Sequence, residues 1–249
     1  MADKDIASNG WTAVPVDAVK ILNGKPYIHK PQPLLVDDVE FPEDDAIVAK
    51  TKTYAKEKLP EHTFNHSMRV FYFASAIIKQ QFPEHHDALS PVTLALTCLL
   101  HDIGTTNENL HTTRLSFEFY GGILALNLLK DEYGASSDQA EAVCETIIRH
   151  QDLGKDGTIT LLGQVIQLAT LYDNVSEHPE IDNFGKIIHE TTREDVNKRF
   201  PRLGWLGCFA DTIRKEIELK PWCHTTHIPD FDKKVEGNTL MKPYEQSKL

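Results

Sequence analysis

Two imidazoles and two carboxylates stand out in this chain because they sit where apolar side chains are expected. His101-Asp102 closes the most apolar run, Cys98-Leu99-Leu100-His101-Asp102-Ile103-Gly104. His66 lies in Phe64-Asn65-His66-Ser67-Met68-Arg69-Val70, and Asp173 comes late in Leu168-Ala169-Thr170-Leu171-Tyr172-Asp173-Asn174. Burying an imidazole beside an ionised carboxylate is costly unless something compensates. One compensation is a hydrogen-bonded pair that caps a helix end. Another is a divalent cation, which binds imidazole nitrogen and carboxylate oxygen. Each residue alone is accounted for by ordinary core hydrogen bonding. Together, His66, His101, Asp102 and Asp173 make a four-ligand set with room for water, although spacing does not prove that they converge.

Further residues could complete such a site. His150 ends Ile147-Ile148-Arg149-His150; it either handles a proton or meets the free carbonyls of a helix end. Thr170 is one helical step from Asp173, so both can face one pocket. Thr170 and Asn174 can bond a substrate or a ligand oxygen, or serve as core hydrogen-bonding groups. Asp102 has a second oxygen that can act as a base towards water. His224 and His227 flank no strong pattern beyond the adjacent Cys223. A structural role closing a pocket or an interface is favoured over a second metal there, because short motifs overcall. His62, His85, His86, His178 and His189 lie in polar stretches and are expected to face solvent.

The elements that must position these residues read as helices. Apolar spacing predicts helices over 44–58, 63–82, 92–101, 115–133, 136–149 and 160–174, a short one from Thr192, and one over 206–220. Ser90-Pro91 supplies a hydroxyl N-cap and a first-turn proline. Ser136 to Gln139 offers a capping box. Gly134 closes the 115–133 segment, and Gly121-Gly122 weakens its middle. No stretch alternates with a strand period. The expected fold class is all-α: a helical bundle in one domain over 1–249. Within it, 1–42 forms a packed irregular N-terminal arm punctuated by glycine and proline, 43–220 the helical core, and 221–249 a C-terminal tail.

Composition narrows the function. The 249 residues are 41% hydrophobic and 25% charged, an ordinary globular mix, with a formal net charge of -11. No basic patch is present, so nucleic acid and anionic membranes are not expected partners. No run approaches the length of a transmembrane helix, and Met1-Ala2-Asp3-Lys4-Asp5 lacks the features of a secretion signal. Cys98, Cys144, Cys208 and Cys223 form no C-x-x-C pair, which fits reduced thiols in a cytoplasmic protein. The apolar arms suggest a homo-oligomer.

His66, His101-Asp102 and Asp173, each on its own helix, resemble the signature of the HD-domain superfamily of metal-dependent hydrolases. The resemblance extends to Asn9-Gly10-Trp11-Thr12-Ala13-Val14-Pro15, to Ile147-Ile148-Arg149-His150 and to Lys220-Pro221-Trp222-Cys223-His224-Thr225-Thr226-His227. Over nearly the whole chain these motifs are similar to fungal HD-type cyanamide hydratases. That resemblance implies an HD-domain helical bundle and a zinc-dependent hydro-lyase whose small-molecule substrate is cyanamide and whose product is urea. It implies that His66, His101, Asp102 and Asp173 hold the zinc. A zinc ion lowers the pKa of bound water to about 7, and the hydroxide adds to the nitrile carbon. His150, Asp102, Asn174 and Thr170 are then the groups expected to serve catalysis. The alternative is an HD-domain metal-dependent phosphohydrolase acting on nucleotides. Many HD nucleotidases resemble H-D-x-x-E, and Thr105 stands here in place of the glutamate, which counts against it.

Overall fold

The computed structural model describes residues 2–245, with side chains from Asp5 onward; Met1 and residues 246–249, the outer ends of the two expected arms, lie outside the described residues. In chain order the α-helices are α1 (Ala2–Ser8), α2 (Ala18–Ile21), α3 (Ala46–Lys58), α4 (Glu61–Gln81), α5 (Pro83–His86), α6 (Pro91–Leu100), α7 (Asn107–Thr112), α8 (Phe117–Asn127), α9 (Ser137–Arg149), α10 (Leu161–Asn174), α11 (Glu190–Arg199), α12 (Trp205–Leu219) and α13 (Phe231–Glu236). Two short strands, β1 (Ala13–Pro15) and β2 (Thr158–Thr160), complete the set. The all-α expectation holds.

The most apolar helix is the most central. Every residue of α6 from Thr93 to Leu100 is buried. Its start is as expected, with Pro91 in the first turn and the Ser90 hydroxyl accepting from the Thr93 N–H. Helices α4, α9 and α3 pack on α6, and α10 lies against both α4 and α9. Phe73, Ile77, Leu96, Leu99, Ile147 and Val165 are fully buried where these helices meet. Each such side chain contributes about 1.5–3 kcal/mol relative to exposure. Helix α12 covers α4, and α13 covers α12.

The arms are more ordered than their composition suggests. The N-terminal segment contains α1, α2 and β1, and β1 pairs antiparallel with β2, placing Val14 opposite Ile159. Three residues are too few to show a period, so the strand left no signal in the sequence. The helix expected from Thr192 starts instead at Glu190, with the His189 ring accepting from the Thr191 N–H. Thr192 and Asp195 are occupied elsewhere: their side chains accept from the Leu34 and Val36 N–H groups and dock the arm onto α11. In the C-terminal tail, Cys223, Ile228, Phe231, Val235 and Met241 are buried.

The expected 115–133 helix divides into α8 and a wider turn over 128–132 before Gly134, which has a φ of 77°. Gly121 and Gly122 bring α8 close to its neighbours. A Cβ on Gly122 would lie 2.7 Å from Ile148, and one on Gly121 would lie 3.2 Å from the Gly104 nitrogen. Gly104, two residues beyond Asp102, tolerates no Cβ at all, because that atom would overlap the Phe117 carbonyl group. Gly104→Ala must therefore push α8 away from the turn that carries His101-Asp102. The expected loss is about 1–3 kcal/mol of stability or more, read as a lowered Tm. An unchanged Tm would show that the contact is slack.

Candidate metal centre

Four helices bring the singled-out residues together. His66 stands on α4, His101 is the C-cap of α6, and Asp102 opens the turn Ile103–Thr105. His66 Nε2 lies 3.1 Å from His101 Nε2. Asp102 Oδ2 lies 3.6 Å from the first and 3.4 Å from the second. All three side chains are buried, and their ligand atoms are close enough to share one metal ion.

The protons of this triangle are committed elsewhere. His66 Nδ1 is 2.7 Å from Asp173 Oδ2, and His101 Nδ1 is 2.8 Å from the Cys98 carbonyl oxygen. Both partners only accept, so each Nδ1 carries the proton and each Nε2 presents a lone pair. A second proton on either ring is disfavoured. Burial lowers the pKa of His66 to about 3, against the pull of Asp173, and that of His101 to about 4. Burial pushes Asp102 up to about 6, and its Oδ2 has no hydrogen-bond partner. Two lone pairs and a carboxylate oxygen thus face one another with no proton between them. Such a donor set fits a divalent cation.

Asp173 does not join them in this geometry. Its carboxylate receives His66 Nδ1, Arg69 Nη2 at 2.9 Å and Arg202 Nη1 at 2.6 Å, with Arg69 Nε at 3.1 Å and 3.2 Å from its two oxygens. A carboxylate offers about four lone-pair sites, and these donors use them. Burial alone would raise the Asp173 pKa, but Arg202, Arg69 and His66 outweigh it and hold the carboxyl well below its ordinary range. The structure therefore places the expected fourth ligand behind His66. Carboxylates in that position orient a ligating imidazole and raise its basicity.

Of the other expected residues, His150 borders the triangle directly. His150 caps α9, and its ring centroid is 5.3 Å from that of His101. Its Nδ1 donates to the Ile147 carbonyl at 2.7 Å, which leaves Nε2 as the acceptor. Burial and then His101 lower its pKa. The helix-end bond expected of His150 is thus present, and it frees the other nitrogen. His150, Thr170 and Asn174 all line one cavity of about 20 Å³ with Gln151, Gln167 and Phe231. The Thr170 hydroxyl donates to the Ile166 carbonyl at 3.0 Å, and Asn174 Oδ1 accepts from Trp205 Nε1 at 2.8 Å. Trp205 also stacks on His66 at 4.2 Å.

Several partners were not singled out from the sequence. Arg69 carried a signal, since it lies three residues after His66 on a face that is otherwise apolar. Arg202 and Trp205 carried none, because the turn at 201–204 meets α10 only in three dimensions. Glu118, wholly buried on α8, accepts from His224 Nδ1 at 2.7 Å and pins the tail. His224 and His227 stack on each other and belong to no metal-capable group among the described residues.

The HD domain family matches residues 63–175, a span that contains His66, His101, Asp102, His150 and Asp173. The chain is 42% identical over 232 residues to two proteins of Saccharomyces cerevisiae, cyanamide hydratase DDI2 and cyanamide hydratase DDI3. Each alignment covers 93% of this chain and 97% of the yeast protein.

The protonation pattern sets how ion binding depends on pH. With Asp102 at about 6 and the two imidazoles at about 3 and about 4, one proton must leave when an ion enters below pH 6. Apparent affinity should be flat above that value and fall about tenfold per pH unit below it. Competition with a chelator from pH 4.5 upward measures the slope. A two-proton slope starting near the ordinary imidazole pKa would overturn the assignment.

Proposed function

We propose, from the premise that this chain belongs to the family of HD-type cyanamide hydratases, that it adds water across the nitrile of cyanamide to give urea. The observation that carries this is the extent of the similarity. At 42% identity over 93% of the chain, it extends well beyond the HD domain match at 63–175.

The resident ion in this reading is zinc, held by His66, His101 and Asp102, with Asp173 fixing His66 through Nδ1. When bound, it makes water acidic enough to supply a nucleophile near neutral pH. The protein then handles the protons. His150 is neutral at pH 7, and its Nε2 accepts a proton as the water oxygen bonds to the nitrile carbon. One C–N π bond breaks, and negative charge gathers on the nitrile nitrogen. The Asn174 NH2 donates towards that nitrogen, and the proton held on His150 is delivered to it. The isourea so formed moves its hydroxyl proton to the imino nitrogen and becomes urea. Thr170 shapes the wall through its methyl group, because its hydroxyl is taken by the backbone.

The small cavity favours this substrate over a nucleotide. A volume of about 20 Å³ is close to one or two water-sized probes, the scale of a three-atom linear molecule. Thr105, where many HD nucleotidases resemble one another in carrying glutamate, donates its hydroxyl to the Asp102 carbonyl at 2.7 Å and brings no carboxylate. We place the protein in the cytosol, consistent with its four free thiols. No helix among the described residues is long and apolar enough to cross a membrane. Exposed Leu115, Leu219 and Trp222 fit the expected homo-oligomer.

Purified protein incubated with cyanamide, with chelator and with zinc added back, tests the reading by urea release. His101→Ala should lose metal and activity together. Asp173→Asn should weaken metal binding by about 10–100-fold without abolishing it. His150→Ala should keep its metal and slow kcat by about 100-fold or more. Unchanged turnover in the His150 variant would remove it from the mechanism, and absence of urea from the wild type would remove the function.

A further inference from the structure

We propose that Gln151 recognises the amino group of the substrate and makes the site selective for cyanamide over alkyl nitriles of the same shape. The inference rests on the cyanamide reading above. Gln151 directly follows His150 and lines the same cavity as His150, Thr170 and Asn174. It is only 5% exposed, yet its Oε1 is a buried acceptor with no hydrogen-bond partner. The neighbouring polar groups are engaged. Gln167 Nε2 donates to the Arg149 and Asp152 carbonyls at 2.8 and 3.0 Å, Thr170 bonds the α10 backbone, and Asn174 Oδ1 is held by Trp205. A buried carbonyl left unpaired is costly unless something donates to it. In this cavity that donor is the ligand.

Cyanamide has two unlike ends. The amino group offers N–H donors, and the nitrile nitrogen accepts. Asn174 suits the nitrile end through its NH2, and Gln151 Oε1 suits the amino end. Acetonitrile has the same linear shape with a methyl group in place of NH2. An apolar wall separates two such molecules poorly. A buried acceptor separates them well, because beside a methyl group it stays unpaired.

The test uses the full-length, zinc-loaded protein. Gln151→Met keeps the side chain's length and removes its hydrogen bonding. Two quantities are read: kcat/KM for cyanamide and the inhibition constant of acetonitrile as a competitor, with metal content and Tm measured alongside. The expected result is a fall of about 10–100-fold in kcat/KM for cyanamide, with acetonitrile inhibition unchanged within about threefold and metal content retained. A fall smaller than tenfold overturns the proposal. So does an equal weakening of cyanamide and acetonitrile, which would mean that the cavity had merely been distorted. If the methionine variant does not fold, Gln151→Asn draws the same amide back by one methylene and should show the same selective loss; without that loss the proposal fails. Wild-type protein that makes no urea defeats the parent reading, whereas normal wild-type turnover with an equally active Gln151 variant defeats this proposal alone.

Discussion

Electron pairs that converge in a dry interior repel one another, and the site is organised around that repulsion. His66 Nε2, His101 Nε2 and Asp102 Oδ2 are drawn to one point, the two imidazoles by bonds on their far sides and Asp102 by the packing of the turn that follows it. The Cys98 carbonyl holds His101, Asp173 holds His66, and the Gly104 turn holds Asp102 close under α8. A cation at that point turns the repulsion into attraction. Chains that bury such a donor set without an ion carry an unfavourable arrangement with no evident return.

Asp173 shows how far the constraint spreads. Its charge is buried among two guanidiniums and an imidazole, and Arg202 in turn bonds Glu245 at 2.6 Å in the C-terminal tail. Four charged side chains, two of each sign, thus neutralise one another, with only Glu245 partly exposed. Such clusters contribute little net stability compared with a hydrophobic equivalent, but removing one member strands a buried charge. Their value here is positional. They fix which nitrogen of His66 carries the proton and leave the other to face the ion. Asp102 is the one carboxylate at the site without a cationic side chain bonded to it, which is why burial raises its pKa while that of Asp173 falls.

The cavity lined by His150, Thr170 and Asn174 is small and lies between the C-terminal parts of α9 and α10. The C-terminal tail completes it: Ile228 and Phe231 form part of its wall, and the tail is itself pinned by Glu118, by Ser116, whose hydroxyl accepts from the His224 N–H, and by Glu216, which accepts from Thr225. The C-terminal segment is thus part of the site, not an appendage.

Much of this was legible in the residues. Apart from the 115–133 segment, long apolar periods marked the long helices to within a residue or two, Ser90 and Ser136 marked the starts of α6 and α9, and misplaced polar side chains marked His66, His101, Asp102 and Asp173. Local chemistry is enough for such features, because helix period, caps and burial leave traces within a few positions. What the chain order does not encode is which lone pair points where. That Asp173 stands behind His66 follows from Arg202, twenty-nine residues away in sequence and bonded to it in space. The strand pairing of Val14 with Ile159, the docking of the arm on Thr192 and the unpaired oxygen of Gln151 likewise exist only after distant segments pack. Helices are local solutions to backbone hydrogen bonding, whereas a site is a meeting of side chains whose geometry only tertiary packing decides.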